Sequence, residues 1–233
     1  MTKAAERIDR VSRSQVDKFE ERRKTLADAA IQTLSELGYA RTSLREIAQN
    51  SAFSHGVLHY YFRDKVDLIT YCVRQYKAHC VQRYDQIVAT ARTGDALAQG
   101  FAEGLVQTLR DEALMHRLWY DLRSQSLFEE SFRADVLEID QSLERMIWRI
   151  VSRFAELGDA RLVVPSPVAY AMFDGLFQQA LLHYLSGSGS ALADLRERVL
   201  QLLPHLVCPS QSGTTQPGAR LVAAHQQRAS HSA

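Results

Sequence analysis

The chain is predicted to be all-α: an N-terminal three-helix helix-turn-helix domain followed by a larger helical domain. Three observations predict this. Apolar residues recur at spacings of three and four across almost all of residues 65–206, the period of helices buried on one face. Gly and Pro punctuate those runs, at Gly94, Gly158, Pro165, Pro167, Gly187 and Gly189. Thr42 to Leu68, TSLREIAQNSAFSHGVLHYYFRDKVDL, reads as two short helices joined by a tight turn and followed at once by a third. No convincing strand and no repeat stands out.

The motif follows local rules. Thr42 or Ser43 can cap the first short helix, because a short side-chain oxygen accepts from a free N–H of the first turn. Ser43 and Glu46 have the spacing of a capping box. Leu44, Ile47 and Ala48 give that helix one apolar face, and Asn50 to Phe53 forms the turn. Ser54 caps the second helix, with Val57, Leu58 and Tyr61 inward. Gly56 costs about 1 kcal/mol relative to Ala in a helix, which a position against a phosphate backbone or groove wall would explain. Asp64 caps the next helix.

The second short helix is rich in donors and short of acids: Ser54, His55, His59, Tyr60 and Tyr61, with Arg63 and Lys65 at its exit. In a helix-turn-helix this element enters the major groove. Residues 1–77 hold 14 Lys and Arg against 10 Asp and Glu, whereas the remainder holds 14 against 17. The excess has the sign that suits a domain meeting phosphates. Tyr61, Phe62, Leu44, Ile47, Ala48 and Leu58 read as core of the small domain. His55 and His59, at i and i+4, could hold a metal on one helix face. No third ligand stands nearby in sequence, so no metal and no cofactor is expected.

Residues from about Arg22 to Lys77 resemble the DNA-binding domain of the TetR family of transcriptional regulators. The resemblance rests on LGYARTS, LREIAQNSAFSHGVLHYYFRDKVDL, the aromatic pair before Phe62 and a Lys three residues after it. Ala52 stands where the family pattern has Gly. The resemblance implies that Thr42, Tyr60 and Lys65 hold phosphates and that Arg45 reaches a base edge or a phosphate. Ser54, His55, Val57 and His59 would face the groove, with Gly56 close to the backbone.

The remaining elements follow in order. Residues 1–18 read as a flexible, charged arm and 19–66 as the helix-turn-helix domain. Residues 67–206 form the larger domain and 207–233 a polar, disordered tail. Val66 to about Ala91 is one long helix, ending before Thr93-Gly94. Asp95 opens the next, with Leu97, Phe101, Leu105 and Leu109 four apart, and a separate run spans Ala113 to Leu127. Glu129 to Leu157 is the longest, and Gly158 stops it. Pro165 and Pro167 start another, which Gly187 and Gly189 end. Ser190 caps a last helix to Leu206.

Pro167 to Ser186 is apolar nearly all round, so it is either central to the core or covered by another subunit. The resemblance implies the second: a homodimer, with two reading heads about one DNA turn apart or a multiple of it. It also implies a pocket for a small-molecule effector, for which Phe101, Leu105, Trp119, Arg123, Trp148, Phe173, Phe177 and Gln178 are the candidates. DGLFQQALLHYL is similar to the choline-responsive Bet-type branch, which suggests a cationic ligand against aromatic faces.

Several classes are set aside. No apolar run reaches about 18 residues, so no membrane span is expected. The first residues lack the apolar core of a signal peptide. Cys72, Cys80 and Cys208 are scattered, and the first two would lie about 12 Å apart along a helix, too far to bridge. Reduced thiols in a cytoplasmic protein are expected. No nucleophile elbow, phosphate loop, zinc signature or paired-carboxylate context appears, so no catalytic residue is named. The reading is a DNA-binding regulator, a homodimeric repressor released from double-stranded operator DNA by an effector. A ligand-independent DNA-binding protein and an activator are the alternatives.

Overall fold

The computed structural model describes residues 3–210, with side chains from residue 15 onward except at positions 35 and 39–41. Helix α1 (Lys3–Arg41) leads into α2 (Leu44–Gln49), α3 (His55–Tyr61) and α4 (Lys65–Thr90). Then come α5 (Gly94–Gln125), a single 3-10 turn at Glu130–Phe132, α6 (Arg133–Leu157), α7 (Ser166–Leu185) and α8 (Ala191–His205). The fold is all-α as expected.

Three details differ from the sequence reading. Residues 3–18, expected as a loose arm, continue the turns of α1. The two runs expected on either side of residue 112 are one helix, α5, kinked at Glu112 (φ −131°, ψ 22°). Strand β1 (Ala160–Leu162) pairs antiparallel with β2 (Val207–Pro209), so residues 207–210 are not a loose tail. A ribbon of three residues lacks the length for an alternating pattern, so the sequence gives no sign of it. Residues 211–233 of the expected disordered tail lie outside the described residues.

The N-terminal unit, α1 to the start of α4, is held together by its caps. Ser43 Oγ accepts from Glu46 N at 3.2 Å, and Glu46 Oε2 accepts from Ser43 N at 2.7 Å, which completes the capping box. Ser54 Oγ accepts from Val57 N at 3.3 Å, and Asp64 Oδ1 from Asp67 N at 2.9 Å. Gly38 kinks α1 at φ 77° and ψ 175°, a region open essentially to Gly alone. Leu26, Ala30 and Leu34 of α1 meet Leu44, Ile47, Leu58, Phe62 and Leu68, all buried. Arg23 lies over the rings of Phe62 and Tyr71 and donates to Asp67 Oδ1 at 2.9 Å, which fastens α1 to α4.

Helices α4 to α8 pack around a second centre formed by Phe101, Trp119, Phe132, Ile150, Phe173 and Val199. Thr93 Oγ1 caps α5 through Ala96 N. Ser190 precedes α8 as expected, but its hydroxyl donates to Asp194 Oδ2 and caps no N–H. On α7, Tyr170, Phe173, Phe177 and Leu181 are buried, whereas Val168, Met172, Gly175 and Leu182 lie exposed along one face, interrupted by Gln179, whose Oε1 accepts from Arg198 of α8. Cys72, Cys80 and Cys208 are free thiols.

Candidate nucleic-acid interface and effector cavity

The exposed face of α3 is built by its neighbours. Leu58, fully buried, anchors the helix, and Val57 and Tyr61 lean half-buried against the core. Ser54, His55, Gly56, His59 and Tyr60 are left in solvent. The His55 and His59 rings meet edge to face at 4.4 Å, and Tyr60 is 73% exposed. A Cβ on Gly56 would meet nothing within 4 Å, so internal packing does not require Gly there. Arg45 on α2 is exposed, and Lys65 sits half-buried at the start of α4. Thr42 does not join this set: it is buried, and its hydroxyl donates to Gly38 O at 2.7 Å across the α1 kink.

A cavity of about 60 Å³ lies among α4, α5, α6 and α7. Its apolar wall includes Leu143, Met146, Ile147, Phe173 and Phe177. Its polar wall includes Lys77, Cys80, Thr108, His116, Tyr120 and Asp174. Behind that wall runs a chain of hydrogen bonds. Arg83 donates to Glu112 Oε1 at 2.8 Å, and Tyr76 Oη–H donates to Glu112 Oε2. His116 Nε2 lies 2.9 Å from Tyr76 Oη, and its Nδ1 lies 3.1 Å from Lys77 Nζ.

Burial holds His116 well below the usual imidazole range, so its ring is neutral. Lys77 has only N–H donors, so Nδ1 accepts and Nε2–H donates to Tyr76, a tautomer assigned from the network. Burial also lowers the Lys77 ammonium to about 8, which leaves it charged at neutral pH. Trp119 Nε1–H, in the same cavity wall, is buried and has no acceptor among the described residues.

Residues 26–72 match the family model for bacterial regulatory proteins of the tetR family. That stretch is thus a DNA-binding unit of the tetR type. The chain is 25% identical over 197 residues to the HTH-type transcriptional repressor AcnR of Corynebacterium diphtheriae, covering 82% of this chain and 93% of that protein. It is 26% identical over 108 residues to the HTH-type transcriptional regulator BetI of Yersinia pestis, covering 46% of this chain and 54% of that relative. The chain thus spans about half the length of the BetI proteins it matches. Among solved structures, a transcriptional regulator from Saccharomonospora viridis in complex with choline has a similar fold. Its TM-score is 0.65 at 18% identity, over 81% of this chain and 98% of that one. These relatives are regulators of transcription rather than enzymes.

Of the eight residues predicted for a TetR-family pocket, Leu105, Trp119, Phe173 and Phe177 line the cavity. Phe101 lies one layer behind, its ring against Tyr84 at 5.8 Å and Phe173 at 5.2 Å. Arg123 is held outside the lining by Asp174 at 2.5 Å and Asp140 at 3.3 Å. Trp148 is half-buried away from the lining, and Gln178 is exposed because it falls on the solvent face of α7.

Lys77 and His116 were missed, although a signal existed. Lys77 stands four residues after Val73, and His116 three before Trp119, both on apolar faces where a charged or titratable group is out of place. The His55–His59 pair has no third metal-binding partner among the described residues. Cys80, Glu112 and His116 bring donor atoms within 4.8 Å of one another. Arg83 and Lys77 already bond to two of these groups, so the cluster suits a hydrogen-bond chain better than a divalent cation.

No helix of the described residues is long and apolar enough to cross a membrane.

Proposed function

We propose that this chain is a TetR-family regulator, a cytoplasmic homodimeric repressor released from double-stranded operator DNA by a small molecule bound in the α4–α7 cavity. The observation that carries this reading is the two-sidedness of α5. His116, Trp119 and Tyr120 line the cavity. Arg117, Leu118 and Asp121 border a cleft against Glu36, Leu37 and Gly38, where α1 bends toward the motif. A ligand that displaces this turn of α5 therefore pushes on the base of the reading head. A coupling of about 1–3 kcal/mol is the ordinary size for such a device.

In this reading residues 19–66 are the head and 67–206 the effector-binding and dimerisation domain. Ser54, His55, Gly56, Val57 and His59 meet the groove, Tyr60 and Lys65 grip the backbone, and Arg45 reaches a base edge or a phosphate. The exposed apolar residues along one face of α7 support the two-fold partner. The choline found in the Saccharomonospora viridis protein supports a small-molecule role for this fold. The small cavity volume favours a ligand-independent reader, whereas the buried ammonium inside it argues for a ligand.

The test is selection of bound DNA from a random pool, run with the purified chain and with Tyr60→Ala plus Lys65→Ala. A palindrome enriched by the first and not by the second supports the reading. Weak, salt-sensitive binding with no enriched sequence overturns it.

A further inference from the structure

We infer that the cavity takes the carboxylate of a small organic acid, with Lys77 Nζ and Trp119 Nε1 as donors to the head group and Met146, Ile147 and Phe177 against its apolar body. This rests on the reading of the cavity as the effector site and names the chemistry of what enters it.

The argument starts from what is left unpaired. Lys77 is 4% exposed, and among the described residues no carboxylate oxygen lies within ion-pair distance of its ammonium. Its one hydrogen-bond partner is the neutral His116 ring, and its other neighbours are the faces of Tyr76 at 5.6 Å and Trp119 at 5.4 Å. An ammonium carries three donors, so two remain for the cavity. A buried charge of this kind is ordinarily matched by an opposite one. Trp119 Nε1–H is a second buried donor without an acceptor among the described residues, on a residue whose ring lies beside that ammonium. Two unpaired donors in one cavity, whose acidic group is already held by other partners, call for one acceptor group carrying negative charge.

The acidic side of the cavity does not offer the reverse. Asp174 Oδ2 is held by Arg123 at 2.5 Å, and its Oδ1 accepts from Tyr120 Oη at 2.9 Å. Its charge is matched before any ligand arrives. The unmatched charge of the cavity is therefore positive, which disfavours the cationic ligand that the Bet-type similarity suggests.

The test is calorimetric titration of the full chain with phenylacetate, benzoate and hexanoate, each against its uncharged amide and against choline. The acids are expected to bind, with the amides at least about tenfold weaker, the loss typical of a hydrogen bond to a charged group. Lys77→Met should abolish acid binding while melting cooperatively, and Trp119→Phe should weaken it by about tenfold. Trp119→Phe keeps the test decisive if Lys77→Met does not fold.

Equal binding of acid and amide, choline bound in place of the acids, no binding at all, or unchanged binding by both variants would each overturn the inference. Operator binding is measured separately. Operator release by choline or an amide leaves the repressor standing and sinks the acid site. Acid binding by a chain that selects no operator does the opposite.

Discussion

Arg117 of α5 donates to the carbonyl oxygen of Glu36 of α1 at 2.9 Å, one residue along from His116 in the cavity wall. The helix that lines the cavity thus holds the chain where α1 approaches its bend at Gly38. Arg117→Ala should cost less than about 1.5 kcal/mol of stability, as expected for one hydrogen bond at an exposed site. Its larger effect should fall on coupling, reducing it by about 0.5–2 kcal/mol. Operator affinity with and without phenylacetate reads this directly: the ratio should shrink toward one while unliganded affinity changes little.

Gly38 sets the angle of the same junction. Its φ of 77° and ψ of 175° are strained for any L side chain, and a Cβ there would come within 3.0 Å of Asp121 Oδ2. Gly38→Ala should destabilise the chain by about 1–3 kcal/mol. A urea titration would show it as a lower midpoint, and an unchanged midpoint would mean that the kink is not required.

The capping box offers a local test on the reading head. Ser43→Ala removes the acceptor for Glu46 N and should cost about 1 kcal/mol. Amide exchange in α2 should quicken while α6 stays protected.

Most of the reading head was legible in the sequence, because its elements are short and each is fixed by residues three or four apart. Ser43 with Glu46, Ser54 with Val57, and Leu58 as the inward anchor are all local relations. The cavity was only half legible. Leu105, Trp119, Phe173 and Phe177 announce themselves by size on apolar faces, but Lys77 and His116 are 39 positions apart and meet only after α4 packs on α5. Arg123 looked like a ligand group, but a partner 51 positions away holds it. Thr42 shows the converse: an exposed-looking hydroxyl that the α1 kink takes for itself.

Lys77 gives stability a pH dependence with a definite sign. Its folded value, about 8, lies below the 10.5 of an unburied lysine. Between those values the unfolded chain binds the proton and the folded chain does not, so this group makes stability rise with pH. Below about 8 both states hold the proton and the full cost of burying the charge remains. The span corresponds to about 3 kcal/mol. Lys77→Met should be more stable than the parent at pH 7, and the gap should narrow toward pH 10. Urea midpoints across that range measure it, and a constant gap would contradict the assignment.

Leu182 tests the proposed partner surface. It is 69% exposed on that face of α7. Leu182→Glu should leave the melting of a monomer nearly unchanged while shifting the chain to monomers in sedimentation. Operator affinity should fall with it, since two half-sites would no longer be held together. A variant that still sediments as a dimer would move the interface elsewhere.

The small ribbon has a wider consequence. Ala160 pairs with Pro209 and Leu162 with Val207, while Val163 N donates to Leu206 O at 2.9 Å. Helices α7 and α8 therefore leave and rejoin the molecule at one point, as a loop tied at its neck. The ribbon fixes where the two helices begin and end, while Phe173, Phe177 and Val199 key their inner faces into the common core, so a relative's segment could replace residues 160–209 only if it carried matching side chains.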